Sequence, residues 1–125
     1  MLKVALVQIN VSDLDEAIAW YRDVLGFVVA KEHYHHPVAV DLVHEGCRLL
    51  LHRAERPARI DYPHVAQTLI CFETDDIAAT MDSVRRKCGE VLHDVPQPFP
   101  AGVFAAFRDP FGNVHELVEI RSQRE

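Results

Sequence analysis

A shift of 63 residues lays the two halves of this 125-residue chain on each other. Leu6 falls on Leu69, Val7 on Ile70 and Ile9 on Phe72. Further along, Asp13 falls on Asp76, Leu14 on Ile77, Ile18 on Met81, Arg22 on Arg85, Gly26 on Gly89 and Val28 on Val91. Apolar positions meet apolar positions, helix-starting aspartates meet each other, and so do helix-stopping glycines. Such a chain contains one supersecondary unit twice.

The first copy fixes what the unit is. Residues 3–10 alternate, with Leu6, Gln8 and Asn10 on one strand face and Val7 and Ile9 on the other. Asp13 followed by Glu16 makes a capping box, and Leu14, Ala17, Ile18, Tyr21 and Leu25 form one apolar stripe at helical spacing. Gly26 ends that helix. Residues 27–34, 38–44 and 47–53 read as three strands, broken at His35-His36-Pro37 and at Glu45-Gly46.

The second copy repeats the order: a strand over 66–73, then a helix capped by Asp75 or Asp76 with a stripe of Ile77, Met81, Val84 and Cys88, stopped at Gly89. Strands follow over 90–95, 102–108 and 113–121, with Pro96–Pro100 as a loop. The expected fold is α+β, two paired βαβββ modules in one domain. Module one covers about 1–55, a charged, proline-containing linker about 56–64, and module two about 65–121. Each sheet covers one face with its own helix. Two curved mixed sheets turned towards each other would enclose a cavity suited to a small molecule.

The last hairpin carries the most unusual residue. Asp109-Pro110-Phe111-Gly112 has the order of a type I turn. Beyond it Val114, Glu116 and Val118 share one strand face, and His115, Leu117 and Glu119 the other. A carboxylate between two valines must be compensated if that face is covered.

Charge and composition narrow the function classes. The net charge of −6 speaks against nucleic acid and favours neutral or cationic ligands. No apolar run approaches a membrane span, and no signal pattern opens the chain. Cys47, Cys71 and Cys88 are odd in number and lack CxxC spacing, so they read as reduced, buried or half-buried thiols of a cytoplasmic protein.

The paired modules, Val11-Ser12-Asp13-Leu14 with Ala19-Trp20-Tyr21-Arg22-Asp23-Val24-Leu25-Gly26-Phe27, and Asp109-Pro110-Phe111-Gly112-Asn113-Val114-His115-Glu116-Leu117 resemble the vicinal oxygen chelate superfamily. That group includes glyoxalase I, extradiol dioxygenases, fosfomycin-resistance enzymes and bleomycin-resistance proteins. The resemblance implies a homodimer and four possible metal-ligand positions, in the first and last strand of each module. Those positions fall on Leu6, Leu50, Leu69 and Glu116, with His52 two residues beyond Leu50 on the same face. Leucine offers a metal no lone pair.

The expected site is therefore a metal-free pocket bounded by Leu6, Gln8, Leu50, His52, Gln67, Leu69, Phe104 and Glu116, with no cofactor. Gln8 and Gln67 would supply neutral hydrogen-bonding groups, Phe104 a stacking surface, and Glu116 the charge. The expected function is binding or sequestration of a small molecule, without nucleic-acid or membrane partners. Two alternatives stand beside it: a lyase or isomerase of glyoxalase type using Zn, Ni, Mn or Fe, and a metal-independent enzyme with Glu116 as base. His33, His35 and His36 read as hairpin-end histidines, and His115 as a packed one on the helix side.

Overall fold

The computed structural model describes residues 1–65 and 67–121. Two compact units divide the chain, Met1–Ala58 and Arg59–Glu125. The first runs β1 (Leu6–Val11), α1 (Leu14–Leu25), β2 (Val29–His35), β3 (Ala39–Leu42) and β4 (Arg48–Arg53). The second runs β5 (Cys71–Glu73), α2 (Ile77–Arg86), β6 (Glu90–Val91), β7 (Gln97–Phe99), β8 (Gly102–Arg108) and β9 (Val114–Ile120).

The two sheets have the same strand order. In the first it is β1-β4-β3-β2, and in the second β5-β9-β8-β6 with β7 added beside β8. Each joins its first and last strands in parallel, and the β3–β4 and β8–β9 pairs are antiparallel. Gln8 lies opposite Leu50 in the first unit, and Cys71 opposite Glu116 in the second. The duplication read from the sequence is thus a duplication of α+β topology.

Local chemistry sets the helix ends. Asp13 accepts a hydrogen bond from Glu16 N at 3.0 Å, and Asp76 one from Ala79 N at 3.1 Å, so each satisfies a donor the helix cannot. Gly26 closes α1 at φ 79°, a conformation without penalty only for glycine. In α2 the stop comes earlier than Gly89. The helix ends at Arg86, and Cys88 itself takes the left-handed turn at φ 66°. Cys88 is therefore exposed rather than part of the apolar stripe.

The remaining stripes bury as their spacing predicts, except that in α1 Ile18 and Leu25 are half-buried and Val24 is buried instead. In the first unit Leu14, Ala17, Tyr21 and Val24 of α1 are buried with Ile9, Val11, Val40, Leu49 and Leu51. In the second, Ile77, Met81 and Val84 of α2 are buried with Ala105, Phe107 and Leu117. Full burial of one such large apolar side chain contributes about 1.5–3 kcal/mol. Trp20, which the stripe leaves to one side, is also buried and meets Tyr21 edge-on at 5.1 Å.

Three strand expectations change. Pro96–Pro100 contains a short strand, β7, since Pro98 lies opposite Val103 at a sheet margin where a missing N–H is tolerated. The strand expected over 90–95 shrinks to Glu90–Val91. The one expected over 66–73 shrinks to Cys71–Glu73, and its start at Ala66 lies outside the described residues.

Gly102 begins β8 against the β9 backbone. An added Cβ would collide with Glu119 O and come within 3.0 Å of Arg121 N. Gly102→Ala is expected to destabilise the protein by about 1–3 kcal/mol, read as a lower urea midpoint.

Candidate functional site

The second unit holds a cavity of about 280 Å³ lined by Cys71, Phe99, Phe104, Glu116 and Val118. The sheet register explains the grouping. Cys71 pairs with Glu116 across β5–β9, and Phe104 pairs with Val118 across β8–β9. The turn that aims β9 is held by Asp109, which is buried. Its Oδ1 accepts from Phe111 N and Asn113 N, both at 2.9 Å, its Oδ2 accepts from Asn113 Nδ2 at 3.0 Å, and Gly112 N donates to Asp109 O at 3.2 Å.

Glu116 is half-buried, and two neutral donors approach it. The Tyr62 hydroxyl donates to Oε2 at 3.4 Å and the Cys71 thiol to Oε1 at 3.6 Å. The Tyr62 contact is long for an O–H···O bond, and a carboxylate offers about four lone-pair sites, so Glu116 keeps accepting capacity. Burial first, and the negative charge of Glu116 second, push both the Tyr62 phenol and the Cys71 thiol up from their ordinary values. Both stay protonated at neutral pH. Cys71 is thus a donor to Glu116 rather than a thiolate nucleophile.

Rings extend the site. Phe99 and Phe104 lie 6.2 Å apart at 70°, His93 meets Phe104 at 5.5 Å, and Tyr62 meets His93 at 6.0 Å, both close to perpendicular. Ala106 N donates to His93 Nδ1 at 3.0 Å, so that neutral ring carries its proton on Nε2. Phe107 and Phe111 are fully buried, unlike Phe99 and Phe104.

The other expected site residues are placed as follows. Glu116 and Phe104 come together in the second unit's cavity. Leu69 is half-buried two residues before Cys71, and Gln67 is exposed; both precede β5, so the sheet does not fix them as strand residues. In the first unit Leu6 is half-buried, Gln8 is exposed and donates to Asn10 Oδ1 at 2.8 Å, and Leu50 is buried. His52, half-buried, bonds Arg53 O through Nδ1 at 2.9 Å. His33, His35 and His36 are exposed, and His36 Nε2 lies 2.6 Å from Asp15 Oδ1.

Sequence reasoning passed over Cys71, Phe99, Tyr62 and Val118. Cys71 was within reach, since the 63-residue shift maps it on Gln8. Val118 was read only as sharing Glu116's face, and Phe99 lay in the segment read as a loop, Pro96–Pro100. Tyr62 carried no signal, because it lies in the segment read as linker. Cys71 and Cys88 are exposed, and only Cys47 is half-buried, which corrects the expectation for the thiols; all three are free.

The residues do not fit a metal at the four positions the resemblance implies. Leu6, Leu50 and Leu69 have no donor atom, which leaves Glu116 alone of the four. Among the described residues, no group of three or more His, Cys, Asp or Glu is placed to hold a metal ion.

Comparison with known proteins agrees with this architecture. No curated protein matches the chain. Among solved structures it is similar to a glyoxalase/bleomycin resistance protein/dioxygenase family enzyme from Burkholderia phytofirmans PsJN, at 15% identity and TM-score 0.74, over 96% of this chain and 100% of that one. It is similar to a lactoylglutathione lyase from Agrobacterium tumefaciens at 25% identity and TM-score 0.65, over 95% and 94%. It is also similar to TnmS3, an antibiotic-binding protein from Streptomyces sp. CB03234, at 23% identity and TM-score 0.65, over 97% and 98%. A sequence profile of the family matches residues 3–117. The chain belongs to the Glyoxalase/Bleomycin resistance protein/Dioxygenase superfamily.

Proposed function

We propose that this protein binds and sequesters a small molecule in the second unit's cavity without a metal. The observation that carries the reading is the cavity lining. It consists of two phenyl rings, a valine, a protonated thiol and one carboxylate, and the other three positions of the family's ligand pattern are leucines. An apolar pocket with one fixed polar group orients a ligand and supplies little else. The antibiotic-binding TnmS3 shares the fold, which makes sequestration a use this scaffold supports. The negative charge and three free cysteines favour a cytoplasmic protein without nucleic-acid partners, and we take it to work as a homodimer. Among the described residues no helix is long and apolar enough to cross a membrane.

A second reading rests on the 25% identity to the lactoylglutathione lyase. Here the protein would be a lyase or isomerase, using a metal or with Glu116 taking a proton from the substrate. A thermal-shift screen followed by mass spectrometry of recovered ligand separates the two. Sequestration predicts that hits move the NMR methyl signals of Val118, leave those of the helix-covered Val40 in place, and come back unchanged. Recovery of a converted product, with a rate that falls about 10²–10⁴-fold in Glu116→Gln, would instead establish the base.

A further inference from the structure

The two units treat the carboxylates on the sheet face away from their own helix differently, and the difference identifies a ligand class. In the first unit the carboxylate is Asp41 on β3, opposite Leu50. Arg48 neutralises it with two hydrogen bonds, Nε to Oδ2 at 2.9 Å and Nη2 to Oδ1 at 3.1 Å. Arg48 holds the Asp41 carboxyl below the usual range, and the group needs nothing from outside. In the second unit Glu116 stands where Leu50 stands in the first, and the residue opposite it on β8 is Ala106. Two positions before Leu50 is Arg48, whereas two positions before Glu116 is Val114. The second unit thus has Ala106 in Asp41's place, carries its carboxylate on the neighbouring strand, and has Val114 in place of the arginine.

The nearest arginine on that face does not replace it. Arg108 shares the face of Ala106, but its guanidinium bonds Glu90 Oε1 at 3.2 Å and Ile60 O at 2.8 Å. Among the described residues, the donors to Glu116 are two neutral groups, the Tyr62 hydroxyl and the Cys71 thiol. Beside it stand Phe99 and Phe104, two walls meeting at 70°.

We propose that the cavity selects an amphipathic organic cation, a primary or quaternary amine carrying an aryl or alkyl group, with its charge at Glu116 and its apolar part between Phe99, Phe104 and Val118. The inference rests on the binding function proposed above and specifies its ligand. Opposite charge favours the ammonium, and a desolvated cation gains further from aromatic rings. The thiol and the phenol donate hydrogen bonds to Glu116 but bring it no positive charge. The protein's net charge of −6 attracts cations over longer range.

Calorimetry with three probes of one shape tests this: phenethylammonium, 2-phenylethanol and phenylacetate. Phenethylammonium is expected to bind about tenfold more tightly than the alcohol, and phenylacetate most weakly. Raising the salt should weaken the ammonium alone. In Glu116→Gln the gap between ammonium and alcohol should close. In Phe104→Leu, which keeps bulk but loses the ring, the ammonium should lose several-fold more than the alcohol. Equal binding of ammonium and alcohol by the unaltered protein would overturn the cation assignment and leave the pocket reading standing. Tighter binding of phenylacetate would do the same. Failure of all three at millimolar concentration would overturn the pocket reading itself, and this inference with it.

Discussion

Between pH 6.5 and about 4 the protein will lose on the order of 3 kcal/mol of stability through one side chain, His115. The ring is buried on the helix side of β9, 5.2 Å from Phe72 and 5.5 Å from Phe107. Burial lowers its pKa from 6.5 to about 4. Asp109 lies 4.0 Å from Nε2, but its carboxylate already accepts three hydrogen bonds and does not offset the burial. Because the folded value is the lower one, the unfolded chain binds the extra proton first. The stabilisation is complete above pH 6.5 and is lost as pH falls towards about 4. The difference, 6.5 minus about 4, multiplied by 1.36 kcal/mol per pH unit gives the figure of about 3 kcal/mol.

Urea unfolding across this range measures the effect directly. His115→Phe keeps a ring of similar size between Phe72 and Phe107 and removes the titration. Its unfolding free energy should lack the wild-type slope in this window. An unchanged slope in the variant would assign the acid sensitivity elsewhere. Asp41, held down by Arg48, and Glu119, held down by Ile77 N and Arg121, act in a separate window. Their contributions are lost only as pH falls below the ordinary carboxylate range.

Asp109→Ala should cost about 3 kcal/mol, because one side chain closes the turn that aims Glu116. Its carboxylate takes two backbone N–H groups and one side-chain amide, and Phe111, which gives one of them, is 2% exposed. Truncation leaves Phe111 N without its acceptor in a buried position and the two half-buried Asn113 donors without theirs, at about 1–3 kcal/mol for a buried group and less than the sum for all. Asp109→Asn should cost less than Ala. Its amide oxygen can still receive the backbone N–H groups, while its NH₂ must face the Asn113 NH₂. The urea midpoint should fall in the order wild type, Asn, Ala with a constant m-value. Equal midpoints for wild type and Ala would remove the turn from the list of features that hold β9.

Much of this architecture was legible in the sequence for local reasons. Asp13 and Asp76 announced two helix starts because an N-cap needs a short acceptor, and both caps form. Asp109-Pro110-Phe111-Gly112 announced the turn, and period-two alternation put Glu116 and His115 on opposite faces of β9. What stayed hidden depends on register or on non-local contact. Three prolines masked β7, whose pairing is possible only at a margin of the sheet. Cys88 looked like a stripe residue, but the helix ends two residues earlier, at Arg86. Tyr62 reaches Glu116 from 54 residues away, and no local pattern encodes such a contact. The arginine that neutralises Asp41, and its replacement by Val114 in the duplicate, required both sheet registers.

The central claim is that this member of the superfamily works without a metal, and its metal content tests that most directly. Untagged protein purified without chelators would be analysed for bound metal before and after incubation with Zn²⁺, Ni²⁺, Mn²⁺ and Fe²⁺. With leucine at positions 6, 50 and 69, no stoichiometric metal is expected in either case, and ligand binding should be indifferent to added chelator. About one tightly held metal per chain, lost in Glu116→Gln or His52→Ala, would contradict the account and make the protein a metal-dependent enzyme candidate.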